Sequence, residues 1–355
     1  MASAVVPVRQ VKIDSIEHDL CKEFKTAISE NEELDLLCLA GNSYGLGFFK
    51  EAGPLLKKLK SVKKVVLSDI FVSRKEEILP SLEILSESLA AKGVAYLDLS
   101  SNALCPDGVA AVHELVSSNP VSFLLFDHVA LSREGSTSLC KSIDAKPLNL
   151  KTLRICKNRI EDRADDFAKT LATQTELEEL VIYQNHIKGE QMLHLVESLL
   201  NCPKLKILDL SDNYIPSEAL DVLLKVISQA PELETLNIAD CFIKQKDGDR
   251  FFAKLGELQP SNLKTLFFNY NDVSNLKKAA EALKNLPKLA KLEFKHTDHE
   301  EDEIEEVKQI LPDVEAVWES ADEDEDEETD DKSRLQKEID SVEGLLEQLA
   351  SLKIN

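Results

Sequence analysis

The chain has 355 residues, 43% of them apolar, and 42 Lys plus Arg against 65 Asp plus Glu, a net charge of −23. That balance argues against general nucleic-acid binding, which rests on cationic contacts to phosphate. No apolar run reaches the ~20 residues that span a bilayer, and the N-terminus has no charged segment followed by an apolar one, so neither a membrane nor secretion is expected.

Residues 12–28 place Ile13, Ile16, Leu20, Phe24 and Ile28 on one helical face. Residues 1–33 are therefore predicted to be an N-terminal helical cap. From Leu34 the pattern L-x-x-L-x-L-x-x-N, with apolar substitutes, begins ten times, at Leu34, Val62, Val94, Val121, Leu150, Leu177, Leu205, Leu233, Leu263 and Leu289. Ten matches in near-constant register define a leucine-rich repeat array. A repeat of this length holds one short strand and one helix, and no repeat can bury its apolar side alone. The predicted fold class is therefore α/β. It is a leucine-rich repeat horseshoe of the ribonuclease-inhibitor-like kind, with a parallel concave sheet and convex helices, over residues 34–319.

The second repeat is irregular. Its interval to the third, 32 residues, is the longest. Ile70 replaces the ladder asparagine, and the extra residues of SDIFVSRKEEILP fall between strand and helix. They are predicted to bulge from the edge of the horseshoe, with Arg74 projecting there. In the seventh repeat Leu205, Leu208 and Leu210 read as strand, and Asn213 as the ladder residue whose amide satisfies backbone groups of the turn. Leu220, Leu223, Leu224 and Ile227 then mark one helical face, with Ser217 as the predicted N-cap. After the tenth repeat Ile304, Val307, Ile310 and Leu311 predict a last helix, and Val314 and Val317 a final short strand.

Charge is concentrated late in the chain. Residues 298–331 hold 19 acidic residues against Lys308 as the one basic residue. Residues 320–331 are predicted to be an acidic disordered segment. Residues 332–355 regain apolar periodicity and are predicted to form an amphipathic helix. Leu335, Ile339, Val342, Leu346 and Leu349 give a coiled-coil or docking seam. Leu345, Leu349, Leu352 and Ile354 instead resemble a leucine-rich export signal, which would make an exportin a partner through residues 345–354.

Enzyme motifs are nearly absent: there is no Walker A loop, G-x-S-x-G or H-E-x-x-H. His296 and His299 beside acids read as loop residues rather than a metal site. The seven cysteines are scattered without C-x-x-C, which reads as reduced, mostly buried thiols in a cytosolic or nuclear protein. Neither cofactor nor metal is expected. A leucine-rich array binds partners through its concave side and loops.

Several segments resemble the leucine-rich domain of the GTPase-activating proteins for the small GTPase Ran. They are AGNSYG at 40–45, LSDIFVSR at 67–74, LDLSSNALCPDG at 97–108, YQNHI at 183–187, LDLSDNYI at 208–215, LNIADCFI at 236–243 and FFNYNDV at 267–273. The likeness runs over about residues 8–331, acidic tail included, and is closest to the compact fungal and protist form. S-D-I-F-x-x-R is its most specific part.

The resemblance implies a cytoplasmic or perinuclear GTPase activator that is not itself an enzyme. It would bind Ran-GTP at the horseshoe edge and order Ran's switch region, so that Ran's own glutamine positions the attacking water. Many activators insert an arginine finger. In this family the matching residue, Arg74, is implied to act at the interface instead. Asn42, Asp69, Lys75, Asn102 and His128 are the implied partner-binding positions. For Asn42 and Asn102 the alternative is a turn-stabilising ladder asparagine. Three departures stand out. Ser73 replaces a usual glycine, which predicts a different backbone path. Glu76 replaces a usual basic residue. Asp127, His128 and Val129 occupy a usual pair of asparagines. The competing reading is a non-catalytic leucine-rich scaffold, ribonuclease-inhibitor-like or binding histones and chromatin through the tail.

Overall fold

The structure is a computed structural model that describes residues 2–146, 148–294 and 301–317, together with Gly344, Leu349 and Leu352. The described residues fall into two compact units divided after Leu150, and the described C-terminal residues belong to the first. Both units are stacks of leucine-rich repeats.

The first unit holds β1 (Ser3–Val5), β2 (Lys12–Ile13), α1 (Lys22–Glu30), β3 (Glu33–Cys38), β4 (Ser43–Tyr44), α2 (Leu46–Lys58) and β5 (Ser61–Val66). It continues with α3 (Lys75–Leu89), β6 (Tyr96–Asp98), α4 (Cys105–Ala111), α5 (His113–Ser117), β7 (Phe123–Leu125) and α6 (Ser132–Asp144). Strands β1, β3, β5, β6 and β7 pair in parallel in that order. In-register pairing follows from the repeat: Leu37, Val65, Leu97 and Leu124 occupy the same position and stack as neighbours. All four are fully buried.

The second unit holds β8 (Thr152–Arg154), α7 (Ala164–Leu171), β9 (Glu179–Val181), α8 (Gly189–Ser198), β10 (Ile207–Asp209), α9 (Ser217–Gln229) and β11 (Thr235–Asn237). After these come α10 (Gln245–Leu258), β12 (Thr265–Phe267), α11 (Leu276–Leu283), β13 (Lys291–Glu293), α12 (Glu301–Ile310) and β14 (Glu315–Val317). Its strands are parallel and pair in chain order. The last helix and last strand fall where the apolar spacing predicts them.

Each repeat turns in the same way. The residue before the ladder position has a positive φ in every repeat from the first to the ninth: Gly41, Asp69, Ser101, His128, Lys157, Gln184, Asp212, Asp240 and Tyr270. Only the first of these is glycine, so the other turns hold an L-residue in the left-handed region at a cost of about 1 kcal/mol each. The ladder asparagines offset it. Asn213 Oδ1 accepts from the N–H groups of Asn185 and Ile187 at 3.2 and 3.0 Å. Its Nδ2 donates to the carbonyls of Ile182, Leu210 and Ser211. Interior backbone groups that water cannot reach are thereby satisfied.

Two expectations are corrected. The N-terminal cap is not one helix: β1 adds a strand to the sheet, Ile13 lies in β2 paired with β4, and α1 begins only at Lys22. Ile13 and Ile16 are buried all the same, but from a short strand and the turn after it rather than from one helical face. Ser217 is the first residue of α9 rather than its cap, and its Oγ donates to Asp247 Oδ2 at 2.5 Å. The cap position is Pro216, whose fixed φ suits a helix start. Among the described residues no helix is long and apolar enough to cross a membrane. The acidic segment 320–331, His296, His299 and most of the predicted terminal helix lie outside the described residues.

Candidate functional site

The irregular second repeat is built from the inside outwards. Ile70, at the ladder position, is fully buried, and Phe71 is nearly so, its ring 5.7 Å from that of Phe49. These two side chains pin the start of the loop to an aromatic cluster that includes Tyr44 and Phe48, whose centroids lie 4.6 Å apart. The chain then rises to the surface: Val72 is 52% exposed and Ser73 is exposed. Ser73 has φ +58°, the left-handed region that a glycine would take. The serine holds this glycine-favouring turn under strain.

Arg74 does not project. Its side chain is only 9% exposed and folds back against the first repeat. Nη1 donates to Asp14 Oδ1 at 2.6 Å and to Glu77 Oε1 at 3.1 Å, and Nε donates to Ser43 Oγ at 3.2 Å. Burial alone works against the guanidinium charge, but its hydrogen bonds to Asp14 and Glu77, with their negative charges, outweigh it and its pKa is raised. Glu77 is shared. Its Oε2 accepts the Leu46 N–H at the start of α2, 2.6 Å away, and that bond, then Arg74, holds its carboxyl below the usual range. The packing requires Gly45, where an added Cβ would stand 2.2 Å from Asp14 Oδ1 and 2.8 Å from Arg74 Nη1.

The other expected site residues separate into two groups. Asn42 and Asn102 are each 1% exposed. Asn42 accepts from the Arg9 N–H and donates to the Pro7 carbonyl at 3.0 and 2.9 Å. Asn102 accepts from the Ile70 N–H and donates to the carbonyls of Leu67, Leu99 and Ser100. Both are ladder residues, so their placement as partner-contacting positions is corrected: they shape the turns and are out of a partner's reach.

Asp69, Lys75 and His128 do lie at the rim. Asp69 is half-buried at the turn of repeat two, Lys75 is exposed at the first position of α3, and His128 is exposed at the turn of repeat four. His128 takes the same left-handed turn position as Asp69 and Ser101, φ +54°, +52° and +57°. The rim of repeats two to four thus displays one turn residue per repeat, with Val72 and Ser73 standing proud beside Arg74. Sequence reasoning missed Asp14, Ser43 and Glu77. Only Glu77, three residues after Arg74 at the start of a helix, carried a local signal.

No group of three or more metal-ligating side chains occurs among the described residues. Six of the seven cysteines are buried, with Cys105 exposed. Burial pushes the Cys21 and Cys38 thiols up to about 11 and that of Cys202 to about 12, away from the thiolate form a nucleophile needs.

No family model matches the chain. Among curated proteins it is similar to "Ran GTPase-activating protein" of Drosophila melanogaster, 32% identical over 198 residues, covering 51% of this chain and 33% of that protein. "Ran GTPase-activating protein 1" of Xenopus laevis is 32% identical over 177 residues, covering 45% of this chain and 30% of that protein. "RAN GTPase-activating protein 2" of Arabidopsis thaliana is 39% identical over 84 residues, covering 23% of this chain and 15% of that protein. The chain spans about a third or less of the length of the curated relatives it matches. Among solved structures, the leucine-rich repeat-containing protein LegL7 of Legionella pneumophila aligns with 81% of this chain and 94% of its own, at 15% identity and a TM-score of 0.42. That likeness carries no weight here; the fold rests on the repeats described above.

Proposed function

We propose that the chain is a GTPase-activating protein for Ran. The observation that carries the reading is its similarity, at 32% identity over 198 residues, to a protein named for that activity. The irregular second repeat supports it, because S-D-I-F-x-x-R is the segment that most resembles that family, and its Val72 and Ser73 stand exposed at the edge. In this reading Ran-GTP sits on the rim of repeats two to four, against Val72, Ser73, Lys75, Asp69 and His128. The protein brings no cofactor and no active site of its own; GTP and magnesium arrive with Ran. The rim orders Ran's switch region so that Ran's glutamine positions the attacking water. Arg74 contributes from within the rim, as a tethered support for the loop that meets Ran. A cytoplasmic or perinuclear location belongs to the same proposal.

Single-turnover GTP hydrolysis by Ran tests it, with and without this protein, and with an unrelated small GTPase as control. Acceleration confined to Ran is expected. Folded protein that leaves active Ran at its intrinsic rate would overturn the reading and leave a non-catalytic leucine-rich scaffold.

A further inference from the structure

In each strand the third and fifth positions of the repeat point away from the buried leucines, towards the open face of the sheet. In the second unit these positions are mostly polar, among them Arg154, Glu179, Asp209, Thr235, Thr265 and Lys291. In the first unit six of the eight are apolar, Leu36, Cys38, Val66, Tyr96, Phe123 and Leu125, and the other two are Lys64 and Asp98. An open sheet face left to water does not favour such residues, and here most of them are not in water. Leu36 is 9% exposed, Cys38 1%, Val66 0% and Tyr96 6%.

The cover comes from the far end of the same chain. Leu349 is 2% exposed and belongs to one cluster with Leu36, Cys38, Val66 and Tyr96, against which Leu352, Phe123 and Leu125 also pack. Lys64 gives a second, polar observation. It occupies the open-face position of β5, yet it is only 3% exposed, and its ammonium donates to the Leu349 carbonyl and, at 3.4 Å, to Asp35 Oδ2. A buried ammonium requires such acceptors. The site therefore supplies both an apolar bed for leucine side chains and a buried cation for their backbone.

We propose that the open face of repeats one to four is a docking site for the chain's own C-terminal leucine segment, and that segment and patch mask one another. Leu349 and Leu352 are two of the four residues that resemble an export signal. A leucine cannot fill this patch and an outside groove at once, so any partner that binds the segment competes with the patch. Any partner that binds the patch must in turn displace the segment. The inference is independent of the Ran reading, since it concerns a different face of the repeats.

The test uses the full chain with Leu349→Asp and Leu352→Asp, and follows alkylation of each cysteine by iodoacetamide with mass spectrometry. Cys38 shares a buried cluster with Leu349, so its alkylation is expected to rise by about tenfold or more in the variant. Cys202 and Cys241, buried in the second unit, report on folding and are expected to stay protected. A synthetic peptide of residues 340–355, added in excess, is expected to restore protection of Cys38 saturably, and the same peptide carrying both aspartates is not. Unchanged Cys38 protection in the variant, or a peptide that never restores it, would overturn the proposal.

Discussion

Arg74→Ala should weaken the fold of the first unit, because the arginine is a tether before it is anything else. Contacts with three residues are lost: Asp14 at 2.6 Å, Glu77 at 3.1 Å, and Ser43, whose hydroxyl accepts at 3.2 Å and whose carbonyl accepts at 3.4 Å. Asp14 is 70% exposed, which limits that pair to about 0.2–1 kcal/mol. The arginine itself is 9% exposed, and hydrogen bonds to charged groups in such places contribute about 1.5–3 kcal/mol. Allowing for overlap among the three, the loss is about 2 kcal/mol. For a unit of this size that is a fall of roughly 4–8 °C in the midpoint. Repeat arrays can melt in steps, so the transition to follow is the one that exposes Cys21 and Cys38 to alkylation. Arg74→Lys should fall between, since an ammonium cannot reproduce the planar fork. Asp14→Asn should cost less than either. A midpoint for Arg74→Ala within about 1 °C of the parent would show the guanidinium to be solvated, and would refute the tether.

Asn102→Ala should destabilise by about 2–3 kcal/mol, since it strands the Ile70 N–H and three carbonyls in the interior, and denaturant titration measures it. Ser73→Gly should leave stability unchanged or raise it by up to about 1 kcal/mol, because relief of the φ +58° strain is partly offset by unfolded-state entropy. Glu77 has a depressed pKa, so its contribution is complete above the unfolded-state value near 4.3 and is lost as pH falls through the folded value. Glu77→Gln should therefore remove part of the loss of stability below about pH 5, measured as midpoint against pH.

The repeat made most of this fold legible in advance. Positions such as Leu205, Leu208 and Leu210 encode strand and core together, and the apolar face of α9 follows from helical spacing alone. The N-terminal cap was harder, because Ile13 and Ile16 owe their burial to β2 and the turn after it rather than to a helix, and apolar spacing over so few residues does not distinguish these. The edge loop was legible in outline and wrong in direction. An arginine in an insertion reads as solvent-facing, and what draws it inward is Asp14, 60 residues earlier in the chain. Asn42 and Asn102 show the converse: their ladder pattern already specified burial, and resemblance alone pointed to partner contact. The apolar open face was present at Leu36, Val66, Tyr96 and Phe123, but its meaning needed Leu349 laid on it.

The proposed activity is acceleration of GTP hydrolysis on Ran by this edge. The most direct measurement is single-turnover hydrolysis by Ran from the same source, with wild-type protein, Arg74→Ala and Arg74→Lys, held well below the first melting transition. The expected result is a large acceleration by the wild type, a loss of roughly tenfold or more in Arg74→Ala, and partial recovery in Arg74→Lys, since support for the loop is graded with the tether. A folded wild-type protein with no effect on active Ran would refute the proposed activity.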